Sequence, residues 1–586
     1  MKARPFLTAV GATVLVLLFM ATGLWWAMAR QSPMRLVDQP LELPRAAQFV
    51  PRQAALSLHW LMDPARLPDY GQVVAPPRRR QQARDGVKGL RDGAFALAGL
   101  DFETELAGWL GSQVSVTLLD PQGTGDSPGW VLALSSRDQQ SARSFLQRFW
   151  QTRSLAGTDL QISRYRGMGV ISGRGALLGS ESRPLATALI DDDLLLLASG
   201  RGVLEQALDA SQLSDQHQLG DQQLAAEVGR LGDGVALLTA SPAALGPWFG
   251  LPASITELDG LQGLVAALQL KGSGLGLEAV LSFEEPLVEG QVDPAAGLPL
   301  LNSAGGPAEA LASFSQPARL LDASDQDPLV QWLGPLLRRQ LFAAATASTE
   351  TDAAAKASSG AKSSGTKPSE TKSSGTAFSG TAFSETAFSE TASSPAAIFS
   401  LGDGPLLWLQ QPGGWLLGTQ KGHPSIEAVD DALVEQGLVR AELPADGDDL
   451  EVWTRLERNS RSGDKLEAQL GLAMAEDMGT AWWGQNLAAL NQRQEIKALQ
   501  PSLDGLRALT DASGDSLANQ LVLSAAPARA QLQTWRPWTL IQALAGGSLQ
   551  TSVQGLAIAV GPDPSIGVDQ DGRSAALRLR ALFSFG

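Results

Sequence analysis

Ser462-Gly463-Asp464-Lys465 has residue types and spacing that could do chemistry. A serine with a lysine three residues on is the nucleophile and base of penicillin-recognising enzymes when it opens a helix. Here it falls in a polar turn between two expected strands, so a hairpin turn is the preferred reading. Asp569-Gln570-Asp571-Gly572 resembles half a calcium loop, but Gly567 stands where the first acidic ligand belongs. No glutamate closes the loop at its twelfth position, which leaves a turn at a strand start. Asp191-Asp192-Asp193 offers three carboxylates from one tight turn. Such groups point apart, which favours a solvated turn over a cation site. The histidines are His59, His217 and His423, too scattered for a local ligand pair, and His59 beside Trp60 is read as a strand residue. Cysteine is absent, which excludes disulfides and thiolate chemistry. There is no P-loop, no Gly-x-Ser-x-Gly elbow, no His-Glu-x-x-His and no dinucleotide fingerprint. No catalytic residue, cofactor or metal is therefore expected.

The remaining candidate is basic. Arg78-Arg79-Arg80, followed by Arg84, Lys88 and Arg91, is a concentrated cationic run in a chain of net charge −16. Arg78, Arg79 and Arg80 are the expected contacts to anionic headgroups, each adding about 1 kcal/mol near such a surface. The competing reading is a solvated helix face or an internal partner for the acidic surface. The overall charge, with a pI near 4.8, argues against a nucleic-acid partner, whose phosphates demand a surplus of Lys and Arg.

What must position these residues begins with Pro5–Ala29, which carries no charged side chain. As a helix it would rise roughly 38 Å, enough for a hydrocarbon core of about 30 Å. Lys2 and Arg4 precede it, Arg30 and Arg35 follow, and Trp25 and Trp26 suit an interfacial belt. The expectation is a single-pass anchor over residues 1–30, N-terminus cytoplasmic, with the bulk of the chain outside. A cleaved signal peptide competes, because Ala27-Met28-Ala29 has the form of a cleavage site. A spacer over 31–45 follows. The rest is too long for one ordinary core, so two or more domains are expected.

The soluble part reads as short strands and helices in a series that occurs twice. Pro64-Ala65-Arg66-Leu67 returns as Pro317-Ala318-Arg319-Leu320, and Trp109-Leu110-Gly111 as Trp332-Leu333-Gly334. In the first copy Val114–Leu118 and Trp130–Leu134 alternate as a hairpin, and a helix runs to Trp150 with Phe145, Leu146 and Phe149 on one face. Gly111 reads as a helix C-terminus. In the second copy Leu406–Gln410 and Trp415–Gly418 restate the hairpin, and Leu450–Leu456 is matched to Leu160–Tyr165. The expected fold class is α+β: the transmembrane helix, then two tandem, duplicated antiparallel-sheet-plus-helix lobes over 46–295 and 296–586. The second lobe is interrupted at 343–397 by pentads of the KSSGT and AFSET kind. Their Ser, Thr, Gly and Ala cannot bury enough surface to offset chain entropy, so this insertion is expected to be disordered.

The N-terminal apolar stretch, the recurring Trp-Leu-Gly at Trp109 and Trp332, and strand-rich lobes without catalytic motifs resemble a family of cyanobacterial membrane proteins known only as domain of unknown function 3352. The resemblance covers nearly the whole chain apart from the pentads. It implies a periplasmic or thylakoid-lumenal location and supplies no activity or site residues. The first functional expectation is a non-enzymatic, membrane-anchored protein that binds or scaffolds an envelope or thylakoid protein. The second is a carrier or sensor of a lipid or other apolar ligand, held between sheet and helices. A carboxylate-dependent hydrolase is third, with no acidic pair singled out by spacing.

Overall fold

The computed structural model describes residues 38–585 apart from 120–128, 156, 176–182, 272–273, 290–296, 323, 336, 338–395, 403, 445–448, 460–464, 478, 510–516, 546–548, 550–551, 564–565 and 567–572. The chain divides into two compact units. One comprises Met1–Gln291, Gly505–Leu517 and Val522–Gly586, the other Val292–Asp504 and Ala518–Leu521.

Strands of the first unit are β1 (Leu56–Trp60), β2 (Leu110–Leu119), β3 (Gly129–Ser136), β4 (Leu160–Tyr165), β5 (Met168–Gly175), β6 (Arg183–Ile190), β7 (Leu194–Ala198), β8 (Ala236–Ala240), β9 (Leu261–Lys271) and β10 (Gly274–Phe283). In the second they are β11 (Ala310–Phe314), β12 (Leu406–Gln411), β13 (Gly414–Gln420), β14 (Val439–Pro444), β15 (Asp449–Asn459), β16 (Lys465–Asp477) and β17 (Thr480–Gly484). β18 (Asn519–Ser524) follows, and β19 (Gly555–Pro562) and β20 (Ala576–Ser584) close the first unit. The first unit is a large antiparallel sheet in the order β4-β5-β6-β7-β3-β2-β1-β8-β9-β10-β20-β19. The second orders its strands β11-β12-β13-β17-β16-β15-β14, again antiparallel. One path of the chain thus occurs twice, since β1-β2-β3-β7-β6-β5-β4 and β11-β12-β13-β17-β16-β15-β14 trace the same connections.

The run Leu194–Ala198 shows why the first sheet is covered on both faces. Successive strand residues point to opposite faces. Leu195 and Leu197 enter one core with Trp109, Phe145, Phe149 and Trp150, while Leu194, Leu196 and Ala198 enter another with Leu204, Ala207 and Leu208. A strand buried on both sides must be apolar throughout, and each leucine so buried contributes about 1.5–3 kcal/mol. Five helices in the first unit and one in the second bear on the argument: α1 (Arg80–Ala96), α2 (Gln139–Leu155), α3 (Arg201–Ala210), α4 (Gln222–Arg230), α5 (Ile426–Val434) and α6 (Arg536–Leu544), of which α5 is the one in the second unit. α2 supplies the aromatic layer, and the indole of Trp150 donates to Thr187 Oγ1 of β6 at 2.8 Å. In the second unit, Trp415, Trp453, Trp482 and Trp483 are fully buried, with Trp453 donating to Asp430 of α5 and Trp483 to Thr419 of β13, each at 2.9 Å.

The expected architecture is corrected in two respects. No helix among the described residues is long and apolar enough to cross a membrane. The longest, α1 and α2, have 17 residues each and carry arginines; they would rise only about 25 Å. The span assigned to Pro5–Ala29 lies outside the described residues, as does most of the 343–397 insertion. Nor are the units consecutive lobes of sequence. β20 pairs with β10 in unbroken register from Gly274–Ser584 to Ser282–Ala576, which draws the C-terminal strands into the first unit.

Candidate functional site

Of the basic run, the later members meet carboxylates of the same unit, Arg84 and Lys88 in exposed pairs and Arg91 in a buried one. Arg84 pairs with Asp69 at 3.3 Å and Lys88 with Glu103 at 3.4 Å. Arg91 is buried over the ring of Phe102, 3.8 Å from its centroid, and donates to Asp92 Oδ1 at 2.9 Å and Glu103 Oε1 at 2.7 Å. Arg91 holds the Glu103 carboxyl below the usual range through its hydrogen bond. Arg78 and Arg79 lie instead on a 3-10 turn, Pro77–Arg79, and Arg80 opens α1. All three are exposed. Pro76 and Pro77 fix the corner, since each locks its own φ and Pro77 favours the turn start. With Arg78, Arg79 and Gln554 these prolines line a shallow depression open to solvent.

The acidic turn is a lock rather than a cation site. Arg45 bridges Asp191 and Asp193, and Arg143 of α2 holds Asp192, drawing its carboxyl below the usual range. Asp191 and Asp192 take positive φ of 45° and 64°, which aspartate tolerates better than most residues. No group of three or more potential metal-binding side chains occurs among the described residues. Residues 462–464 of the Ser-x-x-Lys stretch and Asp569–Gly572 lie outside the described residues; Lys465 begins β16.

His59 sits in β1 with its side chain fully buried. Its Nδ1 is 2.8 Å from Ser115 Oγ on β2, while Ser57 Oγ lies 2.6 Å from Thr239 Oγ1 on β8. Gln218 joins this seam through Thr239 and Ser57 at 3.0 and 3.1 Å. A serine hydroxyl against an imidazole is the spacing of an activated nucleophile. Burial, however, pushes His59 down to about 4, far below a base matched to neutral pH, and Ser115 is only 2% exposed. The seam pins three strands in register.

A second polar cluster was not anticipated. Arg578 and Arg580 of β20 and Glu278 of β10 are buried together with Asp563. Arg578 donates to Glu278 at 2.8 Å and Asp563 at 3.2 Å, Arg580 donates to Glu278 at 3.2 Å, and Gln269 of β9 donates to Glu278 at 3.1 Å. Two cations and two anions balance. The signal lay in Leu577-Arg578-Leu579-Arg580, two arginines at strand spacing in an apolar run. Sequence alone gives them no partner, since Glu278 is 300 positions away from Arg578.

Fold and site together define a class: an α+β protein of long antiparallel sheets with polar clusters closed into internal pairs among the described residues and an exposed arginine corner. The chain belongs to the family described as Protein of unknown function (DUF3352), whose model matches residues 10–343, more than half its length. No curated protein matches it. Among solved structures it is similar to TP0453 in crystal form I, at 11% identity and TM-score 0.23 over 42% of this chain and 78% of that one. Crystal form III of the same protein gives 8% identity and TM-score 0.24 over 46% and 89%.

Proposed function

We propose that this chain is a non-enzymatic binding or scaffolding protein that rests on an anionic lipid surface through Arg78, Arg79 and Arg80. The clustering supports the reading: three consecutive arginines, Arg78, Arg79 and Arg80, stand exposed on a proline-fixed corner, and Arg84 and Lys88 add exposed cations along α1, each beside a carboxylate. Each arginine near an anionic surface contributes about 1 kcal/mol, fading beyond a Debye length of about 10 Å at 0.1 M salt. The acidic remainder would be repelled by the same surface, so the contact also orients the molecule.

The test is flotation of protein lacking residues 1–30 with phosphatidylcholine vesicles, with and without anionic lipid. Binding should need the anionic lipid and weaken with salt, and R78E/R79E/R80E should abolish it. Equal binding by that variant overturns the proposal. An extracytoplasmic location, periplasm or thylakoid lumen, and a protein partner there belong to the same reading. A C-terminal reporter active only in the cytoplasm would exclude the location.

A further inference from the structure

The described sheet of the second unit ends on β14. β14 pairs with β15 on one side, from Val439–Thr454 to Pro444–Asp449, and no other strand is recorded on its outer edge among the described residues. Its side chains alternate between two characters. Val439, Ala441 and Leu443 lie on one face and are exposed, Val439 at 65% and Leu443 at 43%. Arg440 and Glu442 lie on the other.

Arg440 is already gripped by Glu451 of β15 through two hydrogen bonds of 2.8 Å. Glu442 is directly opposite that same Glu451 in the ladder and exposed, a carboxylate facing a carboxylate. Like charges directly opposed across strands are unfavourable, and Arg440, on the same face two residues away, already acts on both glutamates.

We infer that β14 is a self-association edge, where a second copy of this chain adds its own β14 antiparallel about a two-fold axis through Ala441. The register follows from the charges. A two-fold axis perpendicular to the sheet must pass a residue paired with itself, because paired residues in an antiparallel ladder share a face. Centring on Arg440 sets arginine against arginine, and centring on Glu442 sets glutamate against glutamate. Centring on Ala441 sets Arg440 against the partner's Glu442 twice and Val439 against the partner's Leu443 twice. Opposite charges and apolar pairs then meet throughout, and each Glu442 gains the partner's Arg440 directly opposite.

The first unit supplies an internal comparison. β4 occupies the same place in the path and is also paired on one side, with β5. Its sequence, Leu160-Gln161-Ile162-Ser163-Arg164-Tyr165, contains no acidic residue, so no register gives Arg164 a partner. Of these two strands, β14 carries the self-complementary pattern and β4 does not. A ladder this short buries less than a standard interface, so the dimer is weak and concentration-dependent. The inference goes beyond the headgroup contact, which involves other residues and a different unit.

The chain's lack of cysteine makes the test clean. Directly opposed antiparallel residues have Cα atoms about 4.5–5.5 Å apart, within disulfide reach. The full chain in mild detergent should, as A441C under mild oxidation, give a covalent dimer at least about tenfold faster than the I162C control on β4. Light scattering up to about 100 µM should show reversible dimers for the native chain. E442R alone and R440E alone should each raise the dissociation constant about tenfold, and mixing the two should restore association, because each strand then faces its opposite. E442R changes an exposed side chain, so its loss of association with unchanged melting separates interface from folding. A441C cross-linking no faster than I162C, or a mixture as monomeric as its components, overturns the proposal.

Discussion

At the scale of single residues, two buried polar clusters of this protein hold neighbouring strands together. His59 illustrates the cost. Burial pushes it down to about 4, so the folded chain holds it neutral while the unfolded chain takes up a proton near 6.5. Below 6.5 the unfolded state therefore binds more protons. The stability linked to His59 is fully present above about 6.5 and is lost as pH falls towards 4, amounting to about 3 kcal/mol at the acid end. Denaturant midpoints of the first unit, followed between pH 7 and 4, should fall in the native chain. In His59→Gln they should fall less steeply, because the amide does not titrate. Parallel profiles would show that another group carries the acid sensitivity. Arg578 and Arg580 follow the same logic at the other end of the sheet, where a buried pair is weak evidence for stability but loss of one partner leaves an uncompensated charge.

Elements are held by close approaches that propensity does not foresee. α1 contains Gly89 and Gly93, four apart and on the side facing the end of α6. A methyl group at Gly89 would lie 3.8 Å from the carbonyl oxygen of Ala545, ordinary contact, whereas at Gly93 it would lie 2.7 Å from that of Leu544. Alanine in a helix gains up to about 1 kcal/mol over glycine. Gly89→Ala should realise most of that gain, while Gly93→Ala should cost about 1–2 kcal/mol net, because the obstacle is backbone. Thermal melts of the two variants shifting in the same direction would contradict this packing. Gly111 makes a related point. The spacing around Trp109-Leu110-Gly111 suggests a helix end, yet Gly111 lies within β2, where a Cβ would meet Ser135 Oγ at 2.6 Å. Similarly, β14 rather than Leu450–Leu456 takes the place of β4. Its Arg440, Glu442 and terminal Pro444 disguise a strand that pairs with only β15 among the described residues, and the match therefore slips by one strand.

For the molecule as a whole, the decisive contact lies between residues far apart in the chain. β20 lies between β10 and β19, with Arg578 and Arg580 meeting Glu278 beneath it. Removing residues 555–586 should therefore uncover the edge of β10 and leave Glu278 buried without its cations. The first unit should lose its cooperative melt and aggregate, although most of its sequence remains. Supplying 505–586 as a separate chain during expression should restore it in part. A truncated chain that melts like the full one would show the C-terminal strands to be dispensable.

Some of this was written in the residues themselves. Period-two stretches such as Val114–Leu118 and Trp130–Leu134, the aromatic face of α2 and the recurrence of one series twice follow from local alternation and spacing, which survive without knowledge of neighbours. The absence of cysteine and the acidic balance limit the chemistry on composition alone. Tertiary structure decided the rest: that Arg84, Lys88 and Arg91 meet carboxylates while Pro76 and Pro77 set Arg78 to Arg80 on an exposed corner, that His59 and Ser115 are sealed from solvent, and that the last strands close the first unit. Each depends on which distant residue arrives opposite, and strand pairing over hundreds of positions is fixed by burial and register summed across the whole sheet, which no local window contains.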